Sequence, residues 1–116
     1  MIEEVIRNFP KQFAWDPKIE NEGKLPRLEK YIVAGMGGSH LQADILNTIA
    51  PESNLLIHRD YGLPLLTKRD LGQYLLIASS YSGNTEETIS AFKEGIQRGL
   101  QVVAISTGGL LLELAE

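Results

Sequence analysis

Apolar residues along this 116-residue chain form short continuous runs, separated by stretches where they recur at helical spacing. Ile2, Val5, Ile6 and Phe9 come first, at i, i+3, i+4 and i+7, and Pro10 stops the helix they predict. Asp16 to Pro26 carries Pro17, Gly23 and Pro26 among charged residues and reads as a surface connection. Tyr31-Ile-Val-Ala34 is of another kind. It is continuous and ends in glycines, as expected for a strand buried on both faces. Leu41, Ile45 and Ile49 return to helical spacing, and Pro51 closes that helix.

The unit then recurs. Asn54–His58 holds Leu55-Leu56-Ile57, and Tyr74-Leu-Leu-Ile-Ala78 is a third buried run. Ile89, Phe92 and Ile96 mark a helix that Gly99 ends. Val102-Val-Ala-Ile105 is a fourth strand, followed by Gly108-Gly109 and a helical start over Leu110–Ala115. Such alternation predicts an α/β fold, a doubly wound parallel sheet with right-handed crossovers and helices on both faces. Residues 1–30 are expected to be an N-terminal helix and its connection, and residues 31–116 an α/β domain that stops short at its C-terminus. The last helix is only about two turns long, so Leu111, Leu112 and Ala115 have little downstream chain to pack against. The expectation is either a fragment or a protomer that covers this surface with a partner.

Composition narrows the function classes. The net charge of −4 and pI near 5.2 do not suit nucleic acid, and basic residues such as Lys68–Arg69 are scattered rather than gathered in a stripe. There are no cysteines, which excludes disulfides, thiolate metal sites and cysteine nucleophiles. Met1–Phe9 is amphipathic rather than a secretory leader, and no apolar run approaches the ~18–20 residues of a membrane span. A soluble, cytoplasmic protein without membrane contact is expected.

Chemistry concentrates in two strand-to-helix turns. Gly35-Met-Gly-Gly-Ser39 follows the first buried run, where glycines let backbone amides approach an anion at a helix start. Tight turning and close packing explain those glycines equally well, and Ser39 with Gln42 fits a capping box. A dinucleotide fingerprint would need glycine where His40 stands, and no Gly-Lys-Ser/Thr triplet exists for a nucleotide loop. Asp60, near the distance of a ribose-binding acid, is then coincidence.

Ser79-Ser-Tyr-Ser-Gly-Asn-Thr85 follows the third run and is the more informative turn. Hydroxyls of Ser79, Ser80, Ser82 and Thr85 crowd one loop, and with uncapped helix-start amides they can bind phosphate without Lys or Arg. In an open parallel sheet this loop lies at the carboxyl ends of the strands, where ligands bind. An ordinary cap, with Asn84 and Glu87 as its box, needs only one such residue. Glu86 and Glu87 suit the helix dipole but would repel a phosphate, so they are expected to face solvent.

Ser80-Tyr-Ser-Gly-Asn-Thr85 followed by Glu86, between strand and helix, resembles the signature of sugar isomerase (SIS) domains. Gly35-Met-Gly-Gly-Ser39 resembles the first-strand motif of the bifunctional phosphoglucose/phosphomannose isomerase branch. Tyr61-Gly-Leu-Pro64, Ile105-Ser-Thr-Gly-Gly109 and Leu111-Leu-Glu-Leu-Ala115 are similar to that branch at matching places. The resemblance implies a flavodoxin-like three-layer unit that binds a sugar phosphate, with Gly37, Gly38, Ser39, Ser80, Ser82 and Thr85 at the phosphosugar site. It implies no metal and no cofactor, and a homodimer or pairing with a second SIS domain.

The chain departs from the branch where it carries His40, since many relatives have a small residue there. His40 is expected to be an exposed first-turn residue and His58 to be structural. The base that moves the proton between C1 and C2, and the ring-opening histidine, belong by the same resemblance to sequence beyond this chain. Glu86, Glu87, Glu113 and Glu116 are read as solvated carboxylates and are assigned no catalytic role. A phosphosugar-sensing module and a self-associating domain remain the alternatives.

Overall fold

The computed structural model describes residues 2–14, 16, 18–25 and 27–116. Pro17 and Pro26, named above as part of the connection, lie outside them. The four apolar runs form four strands, β1 (Lys30–Ala34), β2 (Leu55–His58), β3 (Tyr74–Ser79) and β4 (Gln101–Ile105). They make one parallel sheet in the order β2-β1-β3-β4. In this register Leu56, Ile32, Leu76 and Val102 form a row across the sheet. The chain winds from β1 outward to β2, then crosses back to β3 and on to β4. That reversal places a topological switch point between β1 and β3, where open α/β sheets take their ligands.

One face of the sheet is well covered. Helix α4 (Glu86–Gln97) lays Ala91 and Phe92 against it, and Ile32, Leu76 and Ala78 beneath are fully buried. Leu63, Leu71 and Leu100 complete this core from the loops and from the four-residue helix α3 (Lys68–Leu71). Helix α3 is not foreshadowed by any apolar period. It is a local device, with the Asp70 amide donating to Thr67 Oγ1 at 3.1 Å to cap the turn that buries Leu71. Helix α5 (Gly109–Ala115) adds only Leu111 to the core, and Leu112 and Ala115 stay exposed.

The other face carries α2 (Leu41–Ile49), whose Asn47 side chain donates to the Leu55 carbonyl of β2 at 3.2 Å. Here the apolar stripe is realised as a helix but not as a buried one. Ala43 is the residue of α2 that is buried, while Leu41, Ile45, Leu46 and Ile49 are each at least half exposed. Periodicity identifies an apolar face without saying what covers it. The first helix behaves likewise. Helix α1 (Ile2–Asn8) buries no described residue, and the chain runs on at Phe9–Ala14 as a tighter 3-10 turn.

Candidate functional site at the carboxyl edge of the sheet

Three loops leave the carboxyl ends of β1, β3 and β4 and lie side by side. The loop after β1 begins at Gly35, whose amide donates to the His58 carbonyl at 3.1 Å. A Cβ at Gly35 would sit 3.1 Å from the Ser79 carbonyl oxygen, so glycine lets this loop pass close over the end of β3. Gly37 follows with a left-handed φ of 56°, and the space beside Gly37 and Gly38 is open. Ser39 does not cap α2; no side chain does. Its hydroxyl instead accepts from the Tyr81 amide at 3.3 Å, tying the loop after β1 to the loop after β3 across the switch point.

The loop after β3 is organised around Ser80. That residue is fully buried, and its hydroxyl lies 2.8 Å from Thr85 Oγ1 and 3.5 Å from Ser82 Oγ. Ser80 also accepts from the Gly83 amide at 3.1 Å, while Ser82 Oγ accepts from the Asn84 amide at 3.1 Å. The structure therefore brings Ser80, Ser82 and Thr85 together but gives them different positions. Ser80 is the inner brace, Thr85 is half-buried, and Ser82 faces solvent.

Thr85 is the N-cap of α4, yet no side-chain cap bond closes that helix start. The Asn84–Glu87 capping box is not formed. Asn84 Oδ1 accepts from the Leu110 amide at 3.1 Å instead, so the expected cap residue serves another helix. Helix-start amides left without a capping side chain, next to several hydroxyls, suit an anion. The cluster contains no Lys or Arg, so such binding draws on hydrogen bonds and the helix dipole rather than on a fixed cation.

The third loop, after β4, braces the loop after β3 and carries none of the residues singled out for the site. Thr107 donates its hydroxyl to the Tyr81 carbonyl at 2.6 Å and its amide to the same oxygen at 3.2 Å. The Leu111 amide donates to the Gly83 carbonyl at 2.8 Å. The approach is so close that a Cβ on Gly83, at φ 77°, would fall 1.7 Å from the Gly108 carbonyl oxygen. Gly108-Gly109, with two residues between it and the end of β4, is the mark of that close approach in the sequence.

The remaining named residues sit around this core. His40 is not exposed as expected: its Nδ1 is 2.5 Å from Asp44 Oδ2, and Arg59 approaches the same carboxylate at 3.6 Å. His58 Nε2 lies 3.1 Å from the Tyr61 carbonyl, which fixes the proton on that nitrogen and gives His58 a structural role. Asp60 Oδ1 accepts the Tyr61 amide at 2.7 Å. Glu86 turns to Tyr61, whose hydroxyl donates to its Oε2 at 3.0 Å. That bond, with the negative charges of Glu87, Glu86 and Asp60, raises the Tyr61 phenol above its ordinary pKa. Glu113 and Glu116 are exposed. Among the described residues no group of acidic or histidine side chains is placed to hold a metal, and no helix is long and apolar enough to cross a membrane.

No family model matches the chain. Curated relatives do. The bifunctional phosphoglucose/phosphomannose isomerase of Caldicellulosiruptor bescii is 35% identical over 120 residues, covering 97% of this chain and 34% of that protein. Its counterpart in Aquifex aeolicus is 34% identical over 116 residues, with 97% and 34% covered. The D-glucosamine-6-phosphate 4-epimerase of Sulfolobus acidocaldarius is 32% identical over 89 residues, 76% of this chain and 28% of the enzyme. The chain spans about a third of the length of the curated relatives it matches.

Proposed function

The chain is related to the N-terminal third of the bifunctional phosphoglucose/phosphomannose isomerases, and on that premise we propose that its switch-point loops hold the phosphate of a hexose phosphate. The observation that carries the reading is the hydroxyl cluster at the start of α4, a helix with no side-chain cap, joined to the loop after β1 through Ser39. Ser39, Ser82 and Thr85 donate to phosphate oxygens, together with the amides of Gly37, Gly38 and the first turn of α4. Ser80 holds the turn from within.

The relatives' names support a phosphate handle more than any one reaction. Isomerases of phosphoglucose and phosphomannose and an epimerase of D-glucosamine 6-phosphate share a phosphorylated hexose while their chemistry differs. A region common to both kinds is suited to hold what the substrates have in common. In an aldose–ketose isomerase the phosphate supplies remote binding energy that positions C1 and C2 for a general base, which passes a proton through an enediol to give fructose 6-phosphate. No residue here is assigned as that base. Residues 31–116 form the binding unit, and residues 1–30 are its N-terminal helix and connection. The exposed stripe of Leu41, Ile45 and Ile49 supports pairing with a second domain of this kind.

The test is an NMR titration of the 116-residue chain with glucose 6-phosphate, mannose 6-phosphate and unphosphorylated glucose. Amides of residues 37–39 and 82–88 shift with both phosphosugars and stay still with glucose. Equal responses to glucose, or none to the phosphosugars, overturn the proposal.

A further inference from the structure

Tyr61 is fixed at three points. His58 Nε2 donates to its carbonyl at 3.1 Å, its amide donates to Asp60 Oδ1 at 2.7 Å, and its hydroxyl donates to Glu86 Oε2 at 3.0 Å. Gly62 follows at φ 65° and donates its amide to Ser90 Oγ at 3.0 Å. A Cβ on Gly62 would lie 2.4 Å from Glu94 Oε2. The loop after β2 thus lies along one face of α4, over Glu86, Ser90 and Glu94, which recur every four residues.

Glu86 is the first residue of α4 and follows Thr85 directly. A carboxylate there is drawn to the helix-start amides by the dipole, and it both competes with and repels any anion that uses them. In the structure its Oε2 is instead engaged by Tyr61. We infer that Tyr61 is a positioning residue that holds the Glu86 carboxylate toward the loop after β2, and so sets the affinity of the hydroxyl-lined helix start for a phosphate. The inference rests on the phosphate reading above and adds to it a control on charge. Hydroxyl donation requires a protonated phenol. A phenol is protonated at neutral pH, and the carboxylates of Glu86, Glu87 and Asp60 raise its pKa further.

Inorganic phosphate and glucose 6-phosphate are titrated by NMR into the unaltered chain, Tyr61→Phe, Glu86→Gln and the double variant, each checked for folding by circular dichroism. Tyr61→Phe frees Glu86 and weakens phosphate binding about three- to tenfold, the range expected when an existing like charge moves closer to the ligand. Glu86→Gln binds at least as tightly as the unaltered chain. Adding Tyr61→Phe to Glu86→Gln changes nothing further, because no carboxylate remains to be held. A loss of equal size in both backgrounds means that Tyr61 merely shapes the loop, and it overturns the inference. So does unchanged binding by Tyr61→Phe. Tyr61→Leu repeats the comparison with a second side chain lacking the hydroxyl. If the unaltered chain binds no phosphate, the phosphate reading falls as well, which separates that failure from this one.

Discussion

The hydroxyl of Ser39 and the amide of Tyr81 meet at 3.3 Å, although their loops leave different strands. The bond fixes the width of the gap between the two glycine-containing turns. Replacing Ser39 with Ala removes both this tie and one proposed phosphate donor. Affinity for glucose 6-phosphate should fall about fivefold or more, the size of one lost hydrogen bond, while urea unfolding changes by about 1 kcal/mol at most.

Ser80 and Ser82 should separate cleanly by experiment. Ser80→Ala leaves the Thr85 hydroxyl without its partner and the Gly83 amide with the Ser80 carbonyl alone, a loss of about 1 kcal/mol or more in urea unfolding. Ser82→Ala, at an exposed position, should cost little stability and act on phosphosugar binding. Equal stability effects would mean that the brace and the donor have been misassigned.

Gly83 tolerates no side chain. With φ at 77° and the Gly108 carbonyl 1.7 Å from a notional Cβ, Gly83→Ala forces the loops after β3 and β4 apart. Destabilisation of at least ~2 kcal/mol is expected from backbone strain and displacement together. Gly38→Ala, with open space around it, should be far milder by the same chemical-denaturation measurement.

The Tyr61 phenol titrates above its ordinary value of about 10, chiefly because it donates to Glu86 and sits among negative charges. A raised pKa in the folded state means that the folded chain binds this proton more tightly than the unfolded chain. The associated stability is present below about pH 10 and is lost as pH rises through the folded value. Ultraviolet difference titration of the unaltered chain against Tyr61→Phe should show the Tyr61 phenol ionising above its ordinary value, and Glu86→Gln should lower it.

Much of this architecture is legible in the sequence. Strands such as Tyr31–Ala34 and Tyr74–Ala78 stand out because burial on both faces demands continuous apolar runs, and β1 and β3 form where those runs lie. The loop after β3 stands out because several hydroxyls exceed what one helix cap needs. What fails is anything decided by tertiary neighbours. Leu41, Ile45 and Ile49 have the right period, but the sheet touches the other side of their helix. The burial of Ser80 depends on a loop path that no local pattern encodes, whereas His40 and Asp44 pair at i, i+4, a spacing already present in the sequence. Tyr61 meets Glu86 across 25 residues of chain, so spacing alone gives no hint of the contact.

Helix α5 reaches the site only through its first turn, by the bonds from Leu110 to Asn84 and from Leu111 to Gly83. Leu111 is also the one buried residue of that helix. Leu111 therefore couples core and loop in one residue, its side chain packed with Ala78 and Phe92 and its amide on the Gly83 carbonyl. Truncating its side chain should therefore disturb Gly83 and Asn84 as well as the core, although every hydroxyl of the turn is kept.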